Sequence, residues 1–154
     1  MGQGARLAGS ATPLLKWSHL VLHFLMPEQI SFPARVFKSA WFSKSARKAG
    51  IADAELCKAV RQAMQGQADD LGGGVFKKRL NDNMHRSIIL AEGGQLWVYQ
   101  YLFAKKDRAN IEDDELTAFR ALAKSYAGLT EVQINKLVQN QEFVEICHEH
   151  KIPV

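Results

Sequence analysis

Lysine and arginine residues cluster between Leu71 and Ile111, at the ends of three short strand-like runs joined by turns. Ammonium and guanidinium groups bind phosphate oxygens, the guanidinium through a planar fork of donors. A small sheet edged by such residues is suited to holding a polyanion, and nucleic acid is the best candidate. The residues concerned are Lys77, Lys78, Arg79, Arg86, Lys105, Lys106 and Arg108.

The charge is modest overall but unevenly distributed. The 154 residues, enough for one domain with its own core, carry a net charge of +4. From Arg35 to Arg86 there are 11 basic and 5 acidic residues, whereas from Lys105 to Val154 there are 7 basic and 9 acidic residues. This asymmetry suggests two faces with different partners, and a solvated surface with chance asymmetry is the alternative.

Three consecutive strands are predicted at Val75–Leu80, Arg86–Glu92 and Gln95–Phe103. Turn signals separate them, at Asn81-Asp82-Asn83 and at Glu92-Gly93-Gly94. Short turns between consecutive strands predict an antiparallel meander.

Strand alternation assigns side chains to faces. Lys77 and Arg79 fall on one face of their strand. The last strand has one aromatic face, made of Trp97, Tyr99, Tyr101 and Phe103. Packing against helices accounts for most of that row. Tyr101 lies near the strand end, where its hydroxyl can reach an open groove.

The remaining elements are helical except for a first strand at Arg35–Lys38. Helices are predicted at Ser39–Lys48 and at Ala54–Gln65, the second with Asp53 as its N-cap. Two further helices follow Ile111, with acidic residues at the first N-terminus and Thr130 as the second N-cap. The end at Phe143–Cys147 is expected to pack back on the domain. The pattern predicts an α+β fold: a small antiparallel sheet packed with helices, in the order β-α-α-β-β-β-α-α.

Residues 1–33 differ in composition and are predicted to be an N-terminal extension to a domain at 34–150, whose C-terminal helical region is 111–147. The apolar run Leu14–Met26 is too short and too polar to span a bilayer, and it lacks a clean signal-peptide core. It is either a docking helix or an upstream extension, with Met26 as the natural start; the second is favoured.

Cysteine and histidine spacing gives no metal signature. Cys57 and Cys147 lie far apart in sequence, and Cys57 fits a helical apolar pattern as a small core residue. Nothing here requires an oxidising compartment, so a reduced cytoplasmic protein is expected.

His148-Glu149-His150 is a weak metal candidate, and neither a metal nor a small-molecule cofactor is predicted. Gly72-Gly73-Gly74 lacks a phosphate-loop pattern and instead lets a strand begin.

Three segments carry a resemblance to a known family. They read RVFKSAWFSKSARKAGI from Arg35, ADDLGGGVFKKR from Ala68 and YLFAKKDRANIEDDEL from Tyr101. Together with the element order, they resemble the RelE/ParE superfamily of type II toxin–antitoxin toxins, and the HigB-like branch most closely. The resemblance implies a RelE-like fold and a small basic protein that arrests growth and is neutralised by a cognate antitoxin.

The same resemblance implies a target and site residues. Proteins resembling RelE and HigB cut mRNA, often on the ribosome, whereas those resembling ParE inhibit DNA gyrase. Lys77, Arg79 and Arg86 match basic positions of two adjacent strands, and the segment after the last strand matches at Lys105, Arg108, Asn110 and Ile111. One departure is the loop before Arg86, which is shorter here than the glycine- and lysine-rich loop of many relatives.

Metal-independent cleavage of RNA requires a phosphate-binding group and proton carriers around one phosphate. Arg79 and Arg86 are the candidates for stabilising the phosphorane, with Lys77 assisting electrostatically. Histidine exchanges protons near neutral pH, so the proton-carrier candidates begin with His85 and continue with Tyr101 and Lys105. A solvent-exposed turn residue is the alternative for His85. Contacts to the nucleic-acid backbone, or solvated charges, are expected for Lys48, Lys78, Lys105, Lys106 and Arg108.

Three functions therefore remain open. The first is an endoribonuclease toxin that acts on mRNA. The second is a gyrase inhibitor that performs no chemistry and needs a helical docking surface instead. The third is an inactive module that binds DNA only with its antitoxin. The cluster of Lys77, Arg79, His85, Arg86 and Tyr101 favours the first. A disordered antitoxin segment with acidic and apolar residues could cover the basic groove by folding on it.

Overall fold

The first strand and two helices open the fold in the computed structural model, which describes residues 34–148. Strand β1 spans Arg35–Ser39, helix α1 spans Ala40–Ala49 and helix α2 spans Asp53–Met64. The predicted extension at 1–33 lies outside the described residues.

Local hydrogen bonds explain where these helices begin and end. The Ser39 hydroxyl accepts a hydrogen bond from the Phe42 N–H at 3.1 Å and so starts α1. Gly50, in the left-handed region at φ 73°, ends it. The prediction that Asp53 caps α2 is wrong. Ala52 is the cap, and the Asp53 carboxylate accepts a hydrogen bond from Lys38 Nζ at 2.8 Å instead.

The remaining elements are five strands and two helices. The strands are β2 (Asp69–Asp70), β3 (Val75–Leu80), β4 (His85–Leu90), β5 (Leu96–Ala104) and β6 (Phe143–Ile146). The helices are α3 (Asp113–Ala127) and α4 (Glu131–Gln139). Thr130 caps α4 as predicted, because its side chain accepts from the Gln133 N–H at 3.2 Å.

The strands form one six-stranded mixed sheet in the order β2-β3-β4-β5-β1-β6. The predicted antiparallel meander is confirmed for β3, β4 and β5. Strand β1 joins β5 in parallel, and β6 pairs antiparallel with β1. The α+β class is therefore confirmed, and the sheet is mixed where an antiparallel sheet was predicted. The short strands β2 and β6 were not predicted, since two to four residues carry too little periodicity.

Helices cover both faces of the sheet. On one face, α1 packs against β5, where the rings of Phe42 and Tyr99 lie 5.0 Å apart, and α2 packs against β3. The other face packs against α3 and α4 through two groups of buried side chains. One comprises Phe37, Leu96, Val98, Ile134 and Phe143, and the other comprises Val75, Ile88, Leu90, Phe103 and Ala123.

A bulge in β5 changes the face on which its aromatic residues lie. Ile88 pairs with Tyr101 but Ile89 pairs with Tyr99, so Gln100 is the extra residue. Such a residue inverts the alternation of side chains. Tyr99 therefore faces α2, where its hydroxyl donates to the Leu56 carbonyl at 2.7 Å, while Tyr101 faces α3. The predicted common face is thus wrong: Trp97 and Tyr99 lie on one side, and Tyr101 and Phe103 lie on the other.

A disulfide joins α2 to the residue after β6. Cys57 and Cys147, 90 positions apart, are bonded with their Cα atoms 5.5 Å apart. Cys57 is only partly buried, so its prediction as a small core residue is wrong. Spacing could not reveal this pair, because the fold alone brings the two residues together. Disulfides are typical of oxidising surroundings, so this bond does not support the predicted reduced compartment, which stays a prediction.

Candidate nucleic-acid interface

Two arginines face each other across adjacent strands. Arg79 on β3 and Arg86 on β4 are directly opposite in register, which places their Cβ atoms on one face about 5 Å apart. Within residues 34–148, neither guanidinium has a carboxylate at ion-pair distance. Like charges in this position destabilise a strand pair. A bound anion would remove that cost. We call this pair the opposed arginines.

The turn between the two strands holds one of these arginines. Asn81, Asp82 and Asn83 all lie in the left-handed region, with φ of 56°, 51° and 71°. Asparagine and aspartate tolerate this conformation better than other side-chain-bearing residues, which explains the composition of the turn. Arg86 Nη1 donates to the Asn83 carbonyl at 3.0 Å and to the His85 carbonyl at 3.2 Å. The predicted turn is confirmed, and its carbonyls orient Arg86.

A hydrogen-bonded network connects Lys77 to Tyr101 on the same face. Lys77 Nζ donates to Asn110 Oδ1 at 3.2 Å, and Arg108 Nε donates to the Asn110 carbonyl at 3.0 Å. Arg108 Nη1 then donates to the Tyr101 hydroxyl oxygen at 3.2 Å and to Glu115 Oε2 at 3.1 Å. The loop after β5 and the first turn of α3 thereby fix the Tyr101 side chain.

Arg108 and Glu115 form an ion pair within this network. The pKa of Arg108 is raised above its ordinary range, chiefly by its hydrogen bonds to Glu115 and secondly by that to Tyr101. The pKa of Glu115 is lowered by the same contact and by the Glu112 backbone N–H. Arg108 is therefore paired with Glu115, and its predicted contact with the nucleic-acid backbone stays a prediction.

Tyr101 lies at the centre of an aromatic group. Its ring is stacked on Trp41 at 5.0 Å with 22° between the planes, and it lies 6.0 Å from the Phe119 ring. Because the hydroxyl oxygen accepts from Arg108, its own proton is left for donation to another group. The bulge at Gln100 makes this arrangement possible, since unbroken alternation would turn Tyr101 toward α2.

A groove of about 980 Å³ opens beside Tyr101. It is bounded by one side of α1, the turn before β4, the end of β5 and the loop that follows. Its lining includes the predicted residues Lys48, His85, Tyr101, Lys105, Lys106 and Arg108, together with Trp41 and Met84. We call it the Tyr101 groove. It adjoins the opposed arginines, because its lining residue Phe103 is directly opposite Arg86.

His85 and Lys78 are not brought onto the face of the opposed arginines. His85 lies at the groove with Nδ1 3.2 Å from Asn81 Nδ2. Lys78 alternates to the other face, where its Nζ donates to the Gln67 carbonyl at 2.7 Å. Burial, and secondly the charge of Arg79, lowers the pKa of Lys78. The predicted cluster is therefore divided between the sheet face and the groove.

Three residues of this region escaped the sequence argument. Trp41, Glu115 and Phe119 belong to helices, and the sequence assigns these three side chains no role at the site. No spacing rule links Trp41 to Tyr101. The acidic residue three places after Glu112 was a usable signal, because Glu112 and Glu115 form a capping box that also orients Glu115.

Across residues 34–148, no group of three or more potential metal-binding side chains comes together. The weak candidate at 148–150 falls mostly outside the described residues. In the same part of the chain, no helix is both long and apolar enough to cross a membrane.

The comparison with protein families matches this architecture. The sequence model of the RelE toxin of the RelE/RelB toxin–antitoxin system matches residues 34–146, from β1 to the end of β6. The chain belongs to the RelE toxin family. The match includes the opposed arginines, Lys77, Tyr101 and Arg108. A search of curated proteins found no match.

Membership of the RelE family supplies the general role. The protein is a toxin of a toxin–antitoxin system and has an antitoxin as partner. The ParE-like alternative is not favoured by this match.

Proposed function

We propose that this RelE-family toxin is a metal-independent endoribonuclease that cleaves mRNA, on the ribosome, and thereby inhibits translation. The observation that carries the proposal is the juxtaposition of two features on one sheet face. The opposed arginines lack a carboxylate among the described residues, and the nearby Tyr101 hydroxyl is held by Arg108. The segments quoted from Arg35, Ala68 and Tyr101 support the HigB-like branch.

The opposed arginines would stabilise the reacting phosphate. In metal-independent cleavage, the ribose 2′-oxygen attacks the adjacent phosphorus, a new P–O2′ bond forms and the P–O5′ bond breaks. The products are a 2′,3′-cyclic phosphate and a 5′-hydroxyl. Negative charge develops on the non-bridging oxygens, where guanidinium donors are most effective. Lys77 would add positive charge from the same face.

Tyr101 is proposed as the group that protonates the leaving 5′-oxygen. Its oxygen already accepts from Arg108, so its proton can be donated, and the adjacent guanidinium would stabilise the resulting phenolate. His85 lines the groove, away from the face of the opposed arginines, and is proposed to take the proton of the 2′-hydroxyl through one intervening water. Solvent then returns both groups to their starting protonation states. Arg108 and Glu115 act as positioning residues for Tyr101.

The remaining basic residues are proposed to contact the RNA backbone. Lys48, Lys105 and Lys106 are exposed along the Tyr101 groove and form no ion pair with any described residue. Such lysines attract phosphate with little sequence preference. The proposed place of action is the cytoplasm, where mRNA is translated. In its reducing surroundings Cys57 and Cys147 would exist as thiols.

The test is mapping of mRNA 5′ ends in bacteria after brief induction of the toxin. Wild type and the Arg79→Ala/Arg86→Ala variant are compared at equal protein levels. New ends that arise within minutes in wild type and are lost in the variant would support an RNA-cleaving toxin. Growth arrest without new ends would contradict the proposal and direct attention to DNA gyrase, through a supercoiling assay.

A further inference from the structure

The Tyr101 groove exposes two large apolar side chains. Trp41, in the first turn of α1, is 51% exposed, and Met84, in the turn before β4, is 55% exposed. Both line the groove. Neither is explained by core packing, and the catalytic roles proposed above use neither. Apolar surface beside a basic site marks a position where a ligand can be bound.

The Trp41 ring is held in a defined orientation. It stacks on Tyr101, which in turn contacts Phe119 and accepts a hydrogen bond from Arg108. One part of the indole is therefore covered by Tyr101, while half of the side chain remains open to the groove. A ring fixed in this way loses little conformational entropy when a second flat group stacks on it.

The charges around Trp41 favour a nucleic-acid occupant. Lys48, Lys105 and Lys106 line the same groove without carboxylate partners among residues 34–148, whereas its acidic lining residues are Asp82 and Asp107. Aromatic rings interleaved with lysines are the usual platform for single-stranded nucleic acid, with bases on the rings and phosphates on the cations.

The groove also lies next to the proposed cleavage site. Arg86 Nη1 donates to the carbonyl of Asn83, which lines the groove. Tyr101 is part of the groove and of the proposed cleavage site. A nucleotide whose phosphate lies on the opposed arginines would therefore direct a neighbouring base toward Trp41.

We propose that Trp41 stacks on an unpaired RNA base adjacent to the cleaved phosphate, so that α1 supplies a base-binding subsite. This inference rests on the proposed ribonuclease function and identifies the part of the substrate that is bound beyond the phosphate. Stacking on an aromatic ring accepts every base. Trp41 therefore contributes to affinity and to the requirement for single-stranded RNA, with little preference for sequence.

The experiment measures cleavage of one reporter mRNA in a translation mixture, with full-length toxin in excess at several concentrations. Wild type is compared with Trp41→Ala, Trp41→Phe and, as a matched control, Val132→Ala. Val132 is a large apolar residue of α4 that is 75% exposed and does not line the groove. Trp41→Ala is expected to raise the toxin concentration for half-maximal cleavage rate by about 5- to 100-fold. Trp41→Phe should recover most of this loss.

A second measurement tests the stacking partner itself. The reporter mRNA is made with a single abasic nucleotide, moved one position at a time around a mapped cut site. At one position the missing base should weaken wild-type cleavage by a similar factor, while cleavage by Trp41→Ala should be unaffected by the same change. This non-additivity separates base stacking from a structural effect of the substitution.

The outcomes for the subsite and for the nuclease are distinguishable. If wild type does not cleave the reporter, both the ribonuclease function and this inference are overturned. If wild type cleaves it and Trp41→Ala matches Val132→Ala, only the Trp41 subsite is overturned. Unchanged RNA cleavage together with weaker binding of the antitoxin would also overturn it, and would assign the exposed ring to a protein partner.

Discussion

Arginines at the two sides of this sheet have opposite surroundings. On β1, Arg35 donates from Nε and Nη2 to both carboxylate oxygens of Glu145, at 2.9 and 2.8 Å, and from Nη1 to Glu131 at 3.1 Å. These contacts raise its pKa, first through the hydrogen bond to Glu145. On β3 and β4, Arg79 and Arg86 face one another with no carboxylate partner in the described part of the chain.

The difference indicates which basic residues are structural. The partners of Arg35 come from α4 and β6, and the partner of Arg108 comes from α3. Some acidic residues of the C-terminal third therefore form ion pairs within the domain, and others are left to contact partners. Two arginines that face each other without a counter-charge destabilise the folded protein. An anion that binds between them would offset this destabilisation, which is consistent with an external anionic ligand.

The largest expected effect is on the opposed arginines. Arg79→Ala/Arg86→Ala should lower the rate of mRNA cleavage by about 1,000-fold or more, since each removes donors to the developing phosphorane charge. Its melting temperature should be equal to or above that of wild type, because a like-charge pair is removed. The check combines cleavage of a reporter mRNA with thermal unfolding.

Arg35→Gln is the matched control for that variant. It leaves the partly buried Glu145 carboxylate without its bidentate partner and should lower the free energy of unfolding by about 1–3 kcal/mol. Folded protein should cleave at the wild-type rate. Equal losses of cleavage in the two variants would remove the distinction between structural and functional arginines.

Loss of the disulfide is expected to lower stability without affecting cleavage. Replacing both cysteines, Cys57→Ser/Cys147→Ser, should lower the free energy of unfolding by about 2–4 kcal/mol relative to the oxidised protein, because the bond restricts the unfolded chain. Urea unfolding with and without a reductant measures this. Wild type in reductant should match the double serine variant, and mRNA cleavage should persist in both. A reductant that changes neither the unfolding curve nor the thiol count would contradict the bond.

Two tyrosines separated by a single residue, Tyr99 and Tyr101, provide the third test. Tyr101→Phe removes the proposed proton donor and should slow cleavage by about 100-fold with little change in stability. Tyr99→Phe removes a buried hydroxyl that donates to the Leu56 carbonyl, and should cost about 1 kcal/mol of stability without slowing cleavage. Single-turnover rates and thermal unfolding measure the two effects. If only the Tyr99 variant cleaved more slowly, Tyr99 and not Tyr101 would face the cleavage site, contrary to the effect that we assign to the bulge.

The smallest effect is expected at Glu115, which positions Tyr101 through Arg108. Glu115→Gln weakens the ion pair to Arg108 and should lower the maximal cleavage rate by about tenfold, with less effect on the concentration for half-maximal rate. Stability also depends on pH through this residue. Because its pKa is lowered in the folded state, the stabilisation is present above its unfolded pKa and is lost as pH falls through the folded value.

Thermal unfolding across pH checks the sign of that dependence. Wild type should be more stable than Glu115→Gln near neutral pH, and the difference should disappear in the acid range below the ordinary pKa of a glutamate. A difference that grows as the pH falls would mean that the folded state does not favour the ionised carboxylate.

The fold was largely predictable because its signals are local. Helical periodicity, the turn residues around β3, β4 and β5, and the Thr130 cap each act over a few residues, and the structure has them as expected. The parallel pairing of β1 with β5, the strand β6 and the disulfide depend on residues that are distant in sequence. Their formation is set by tertiary packing, which no local pattern records.

The candidate site was predictable in part for the same reason. Alternation on β3 placed Lys77 and Arg79 on one face, whereas the register that sets Arg86 opposite Arg79 required the structure. Alternation failed on β5, because one extra residue at Gln100 inverts it and no residue type there signals a bulge. The contacts of Arg108 with Glu115, and of Trp41 with Tyr101, join separate elements and required the structure.

In the proposed mechanism, the opposed arginines hold a phosphate for attack by the neighbouring 2′-hydroxyl. The most direct test identifies the chemistry of the cut ends when wild-type toxin and Arg79→Ala/Arg86→Ala act on a reporter mRNA in a translation mixture. We expect 5′-hydroxyl and 2′,3′-cyclic phosphate ends from wild type, and their loss in the variant. Ends bearing a 5′-phosphate, or cuts that persist when both arginines are absent, would contradict this mechanism.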